Sequence, residues 1–197
     1  LGHRTYLHVF ETDARDADAM LDAAVAQLLK LQAIAPPDDL PAYDEALLTR
    51  ELRLFDEWFL GTHLGVSLDC GDLEALDRVY RFLIDAALAQ PQVLVHRDFM
   101  PRNLMPLDDG DGPAGLDFQD AVRGWRGWDF SMLLHDARRD VSPAAHEAAV
   151  RAYLEASGNS ETEFQRELAV LGAINTMRIL GIFSRLTSRH GKRSSLY

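Results

Sequence analysis

The tract from Val93 to Gln119 constrains the fold most, because it interrupts an otherwise helical pattern with strand and turn signals. Val93-Leu94-Val95 is a short aliphatic run that reads as a strand. It leads into the loop His96-Arg97-Asp98-Phe99-Met100-Pro101-Arg102-Asn103. Residues 104–107 and 114–116 read as two more short strands. Between them, Asp108-Asp109-Gly110-Asp111-Gly112-Pro113 is dense in turn residues. A hairpin at this place folds Asp117 back beside Asn103. The acidic turn lacks the alternating ligands and terminal Glu of a calcium-binding helix-loop-helix, so a solvated turn is expected.

The rest of the chain reads as helix. Residues 14–33 follow Thr12 or Asp13 as a cap and carry Leu21, Val25, Leu28 and Leu29 on one stripe. Pro36-Pro37 ends that segment. Residues 42–60 place Leu48, Leu52, Phe55 and Phe59 at helical spacing, closed by Gly61 and Gly65. Residues 72–89 repeat the pattern with Leu76, Tyr80, Leu83 and Ala87. A helix is expected from Trp128 to Ala137. Ser142-Pro143 opens another, which Gly158 stops. Ser160 and Glu163 form a capping box for a last helix with an expected break near Gly172 or Gly181. The expected fold is mainly α (α+β): a helical domain with a small β-hairpin holding the active loop.

The pattern H-x-D-x-x-x-x-N followed by D-F-x suits phosphoryl transfer. Such transfer passes through a loose transition state, so positioning and charge neutralisation dominate. Asp98 is placed to accept a hydrogen bond from an attacking hydroxyl. Asn103 and Asp117 bring one amide oxygen and one carboxylate to a hard cation such as Mg2+. His96 has no evident proton to move and is expected to pack and fix the loop. The chemistry therefore calls for ATP as donor and Mg2+ as cofactor.

A formal net charge of −11 argues against broad binding to nucleic acid or to anionic membranes. Cys70 is the one cysteine, so no intrachain disulfide forms, which fits a reducing cytoplasm. No unbroken apolar run approaches about 18 residues, so no membrane span is expected. The oligomeric state is left open.

The chain resembles the aminoglycoside phosphotransferase-like small-molecule kinases. Within that group it is most similar to the anomeric sugar kinases that phosphorylate N-acetylmuramate and N-acetylglucosamine in cell-wall recycling. The narrower resemblance rests on Leu1 to Leu7, Glu57-Trp58-Phe59-Leu60 with His63-Leu64-Gly65, and His96-Arg97-Asp98 with Arg102-Asn103-Leu104-Met105. It rests also on Leu116-Asp117-Phe118-Gln119-Asp120-Ala121 and on Gly181 to Leu186. The resemblance implies a protein-kinase-like C-terminal lobe over residues 1–197, catalytic and acceptor-binding. By the same resemblance the N-terminal nucleotide-binding lobe is expected to be absent from this chain. No G-x-G-x-x-G precedes the catalytic tract, where a nucleotide-covering loop would lie, and the two lysines are Lys30, in a helical pattern, and Lys192. The isolated chain is therefore expected to bind ATP poorly and turn over little. Other acceptors, such as an aminoglycoside or choline, and a non-catalytic binding lobe remain as alternatives.

Further residues carry two readings each. By resemblance Asp129 steadies the catalytic loop; it also suits a helix N-terminus. Arg97 and Arg102 either neutralise a substrate anion or make structural ion pairs. By resemblance Glu57 borders the acceptor pocket, with Trp58 as a flat apolar face; alternatively Glu57 is solvated and Trp58 is core. Asp120 and Arg123 are placed on the acceptor side. Trp125, Arg126 and Trp128 either rim the site or pack its loop down.

Overall fold

The computed structural model describes residues 4–12, 17–107, 112–135 and 141–190. In chain order its regular elements are α1 (Tyr6–Thr12), α2 (Ala17–Gln32), α3 (Glu45–Leu54), a π-helical segment (Phe55–His63) and α4 (Cys70–Leu88). Then come β1 (Gln92–Val95), β2 (Leu104–Met105), β3 (Ala114–Gly115), β4 (Val122–Trp125), α5 (Gly127–Leu134), α6 (Pro143–Ser157) and α7 (Glu161–His190). Several expectations lie outside the described residues: Leu1 to His3, the cap at Asp13, the turn residues Asp108 to Asp111, the helix end at Asp136 and Ala137, and Lys192.

The chain divides into two compact units. One comprises residues 1–42 and 91–168, the other residues 43–90 and 169–197. In the first, Leu21, Val25 and Leu28 of α2 pack with Phe130, Leu133 and Leu134 of α5 and with Ala149, Val150 and Tyr153 of α6. Tyr153 stacks on Phe164 at 4.6 Å between centroids, and Phe130 meets both rings. Two residues of the expected catalytic tract, Phe99 and Leu104, belong to this same core. Burial of a Phe side chain is worth about 1.5–3 kcal/mol, so the loop is anchored by apolar packing as well as by hydrogen bonds.

Polar clamps surround that core. Arg126 holds Glu167 through two hydrogen bonds of 2.7 Å, with both side chains largely buried. The Arg126 carbonyl accepts from Gln32 Nε2 at 2.7 Å, and Tyr153 donates to Gln32 Oε1 at 2.5 Å. Arg126 is thus an internal strut and not a rim residue. Trp125 and Trp128 are packed down, fully buried.

The hairpin between the two halves of the motif is present: β2 and β3 pair antiparallel, Leu104 opposite Gly115. A second ribbon was not anticipated. β1 pairs antiparallel with β4, Val95 opposite Val122 and Gln92 opposite Trp125. Arg123 therefore lies within a strand opposite Leu94, with an exposed side chain, and donates its N–H to the Pro41 carbonyl at 2.8 Å.

In the second unit α3 begins behind Asp44, whose carboxylate accepts from Leu47 N at 2.8 Å. It does not run uniformly to residue 60. From Phe55 the helix widens to π geometry, and Leu64 N–H bonds Phe59 O, five residues back. Phe55, Phe59 and His63 stack along this segment. Its base is tied by Asp56, which accepts from Tyr80 at 3.1 Å and from Arg53 at 3.3 Å. Asp69 and Asp72 form a reciprocal capping box that opens α4.

α7 does not break at Gly172 or Gly181; it is continuous over thirty residues. Gly181 serves close packing. A Cβ there would lie 2.5 Å from the Leu54 carbonyl carbon. Residues Glu161–Ser188 are long and apolar enough, by length and composition alone, to cross a membrane. The expectation of no such stretch overlooked it because charges interrupt the run. One such helix is weak support for a span, because core helices pass the same test, and Phe164, Leu168, Leu171 and Ile174 of this one are buried.

Candidate active site

β1 delivers the chain into the loop at His96, and Asp129 in the first turn of α5 receives it. The two carboxylate oxygens of Asp129 accept from His96 N at 2.7 Å and Arg97 N at 2.9 Å. Phe99 contributes a third backbone bond. Trp128 Nε1 donates to the Arg97 carbonyl at 3.3 Å. Arg97 is thereby held on both sides of its Cα in the left-handed region, φ 75°, a conformation costly for a side chain with a Cβ. Asp129 is fully buried, and burial raises its pKa to about 7 despite the backbone donors; the nearby Asp98 charge adds to the rise.

Asp98 follows directly and is half-buried. Its carbonyl accepts from Met100 N at 2.9 Å and from Asn103 Nδ2 at 2.9 Å. Pro101–Asn103 forms a 3-10 turn closed by Asn103 N to Met100 O at 2.8 Å. Asn103 is buried. With its amide N–H committed to Asp98, its Oδ1 is left as an acceptor.

The hairpin then brings the second half of the motif alongside. Leu116 N–H bonds Asn103 O at 2.8 Å, and Asp117 is the next residue. Asp117 is exposed and left-handed, φ 58° ψ 47°, at the head of a 3-10 turn over Phe118–Asp120. Asp is among the residues that tolerate this conformation. The His96 ring lies edge-on to Phe118 at 5.3 Å and to Phe99 at 6.0 Å. Burial lowers its pKa against the opposing pull of the Leu116 backbone, Asp98 and Asp117. It is a neutral packing residue at the join of the two loops.

The fold therefore assembles His96, Arg97, Asp98, Asn103, Asp117 and Asp129 around two loops. Arg97 is half-buried, Arg102 is exposed on the 3-10 turn, and Asp120 is exposed beyond Asp117. Glu57 belongs to the other unit, exposed on the π-helical segment, with Thr62 Oγ1 donating to its carbonyl at 3.1 Å. Trp128 takes the second of its two expected roles, packed down, and adds a hydrogen bond to the loop that its sequence position did not signal. Among the described residues, no three His, Cys, Asp or Glu side chains cluster for a metal. The pair Asn103 and Asp117 offers one amide and one carboxylate oxygen. That donor set fits Mg2+, which keeps waters and phosphate oxygens in its remaining positions.

Residues 1–168 match the model of the phosphotransferase enzyme family. The chain belongs to that family. This phosphotransferase-family chain is 41% identical to an N-acetylmuramate/N-acetylglucosamine kinase of Pseudomonas putida, over 98% of its own length and 58% of that protein's. It is 39% identical to the protein of the same description from Pseudomonas aeruginosa, with the same coverage. The phosphotransferase-family chain thus spans about 58% of the length of these relatives. Among solved structures, its fold is similar to ADP-bound aminoglycoside phosphotransferase APH(2'')-Ib. The TM-score is 0.64 at 18% identity, covering 100% of this chain and 66% of the other.

Proposed function

We propose that this chain is the catalytic and acceptor-binding lobe of an ATP-dependent sugar kinase. The acceptor is the anomeric hydroxyl of N-acetylmuramate or N-acetylglucosamine, in cytoplasmic peptidoglycan recycling. One observation carries the chemical part of this reading. The Asn103 side chain is tethered to the Asp98 carbonyl while the hairpin seats Asp117 next to Asn103. The identity to kinases of that description supports the acceptor.

In this reading the Asp98 carboxylate accepts a hydrogen bond from the sugar hydroxyl and takes its proton late, as the oxygen bonds the γ-phosphorus and ADP leaves. Asn103 Oδ1 and the Asp117 carboxylate hold Mg2+, which when bound neutralises charge on the phosphates. Asp129 fixes the backbone of the loop. Arg97 and Arg102 stand on either side of Asp98 as candidates for an anionic group of substrate. Asp120 and Glu57 are proposed on the acceptor side. Arg123, committed by its backbone to β4, is a weaker candidate than its sequence position implied.

The test is a panel assay of the full-length enzyme with ATP and Mg2+. The acceptors are N-acetylmuramate, N-acetylglucosamine, an aminoglycoside and choline. Turnover of the two amino sugars, reduced about 10²–10⁴-fold in Asp98→Asn, is the expected result. Preference for another acceptor would keep the chemistry and replace the substrate. Near-normal turnover in Asp98→Asn would remove the mechanism, and no turnover with any acceptor would favour a non-catalytic lobe.

A further inference from the structure

Helix α4 presents an apolar stripe that the fold leaves uncovered. Ala75, Val79, Phe82 and Ala86 recur at the three- and four-residue intervals of one helix face. The face that α4 buries is a different one, with Tyr80, Leu83, Ile84 and Ala87. Phe82 is 67% exposed and Val79 43%. Isolated exposed apolar residues are ordinary; two large ones at the centre of a helical stripe are a contact surface in waiting.

The charges beside the stripe identify its occupant. Arg78 and Asp85 are seven residues apart, so they flank the stripe on the same side. Arg78 makes no ion pair among the described residues; Asp85 lies in the field of Arg81, whose own ion pair is with Glu45 at 2.6 Å. Consider a second α4 laid antiparallel across the first, with a two-fold axis between Val79 and Phe82. Val79 then faces Phe82 of the other copy. Arg78 falls within about 3 Å, along the helix axis, of Asp85 of that copy, since each residue advances about 1.5 Å. The two-fold repeats both contacts, which is the self-complementarity an isologous interface requires. A parallel pairing would carry Arg78 and Asp85 of the two copies to opposite flanks of the seam and form no such pair. We infer that the α4 face of this chain binds a second copy of itself, antiparallel, through Val79 and Phe82 with reciprocal Arg78–Asp85 pairs.

This inference stands apart from the proposed chemistry and is tested without an activity assay. Sedimentation velocity on the full chain, over about 10–500 µM where a small interface registers, is expected to show a monomer–dimer equilibrium. Phe82→Glu, with its helicity checked by circular dichroism, is expected to remain monomeric throughout. Arg78→Asp is expected to weaken the dimer at least tenfold, and the double variant Arg78→Asp/Asp85→Arg to restore it. A wild-type chain monomeric over the whole range would overturn the inference. So would a dimer indifferent to Phe82→Glu, or a charge swap that fails to rescue.

Discussion

The side-chain amide of Asn103 donates to the backbone carbonyl of Asp98 across 2.9 Å. This bond spans the loop and occupies the nitrogen side of the amide, so the oxygen side is left for the proposed cation. Replacing Asn103 by Asp keeps an oxygen for the cation but turns a carboxylate oxygen toward the Asp98 carbonyl. Asn103→Asp is expected to lower stability by about 1–3 kcal/mol, the cost of an opposed buried polar pair. Equilibrium urea unfolding measures it. An unchanged midpoint would mean that the tether does not hold the loop.

Asp117 supplies the only carboxylate of the proposed cation pair. In the full-length enzyme, Asp117→Ala is expected to weaken Mg2+-dependent nucleotide binding by at least the ~10–100-fold that losing an outer partner of a metal site costs. Titration calorimetry with and without Mg2+ resolves this. Equal loss in both conditions would assign Asp117 to the nucleotide and not to the ion.

Asp129 links stability to pH. Its carboxyl holds a proton up to about pH 7 in the fold, against an ordinary value of 3.8. The folded state binds the extra proton across that interval. Its contribution is therefore full below about pH 4 and is lost as pH rises through about 7. Asp129→Asn should be less stable than the parent, with a gap that narrows from pH 4 to about 7.5. Urea titrations of both proteins across that range provide the comparison. A gap that widens would show that the backbone donors stabilise the ionised carboxylate more than burial opposes it.

Gly181→Ala should destabilise the second unit by about 1–3 kcal/mol, the range for overpacking. The new Cβ meets Leu54 backbone and side chain at 2.5–2.7 Å. The ~1 kcal/mol helical advantage of Ala over Gly acts in the opposite direction and is not sufficient. Thermal unfolding checks the sign. A raised midpoint would show that α3 can yield.

The helices were legible because their signals are local. Ser142 with Pro143, and Gly158 in the left-handed region, are caps that need no distant partner. The hairpin that joins Asn103 to Asp117 was legible for the same reason. β4 was not: Val122-Arg123-Gly124-Trp125 carries a Gly in a four-residue strand, and its pairing with β1 lies about thirty residues away. The π-helical widening at Phe55 was hidden because Phe55 and Phe59 satisfy ordinary helical spacing equally well. Gly181 was misread as a break because a glycine that permits close approach looks, in sequence, like one that ends a helix.

Arg97 bears on how this chain can fail. Its unusual backbone persists because Asp129 grips its amide and Trp128 its carbonyl. Release either grip and Arg97 can fall back to a common basin, carrying its neighbour Asp98 with it. Silent chemistry can thus arise from changes in a buried helix that never meets a substrate. A survey of inactivating variants should find Trp128 and Asp129 beside the residues that perform the transfer.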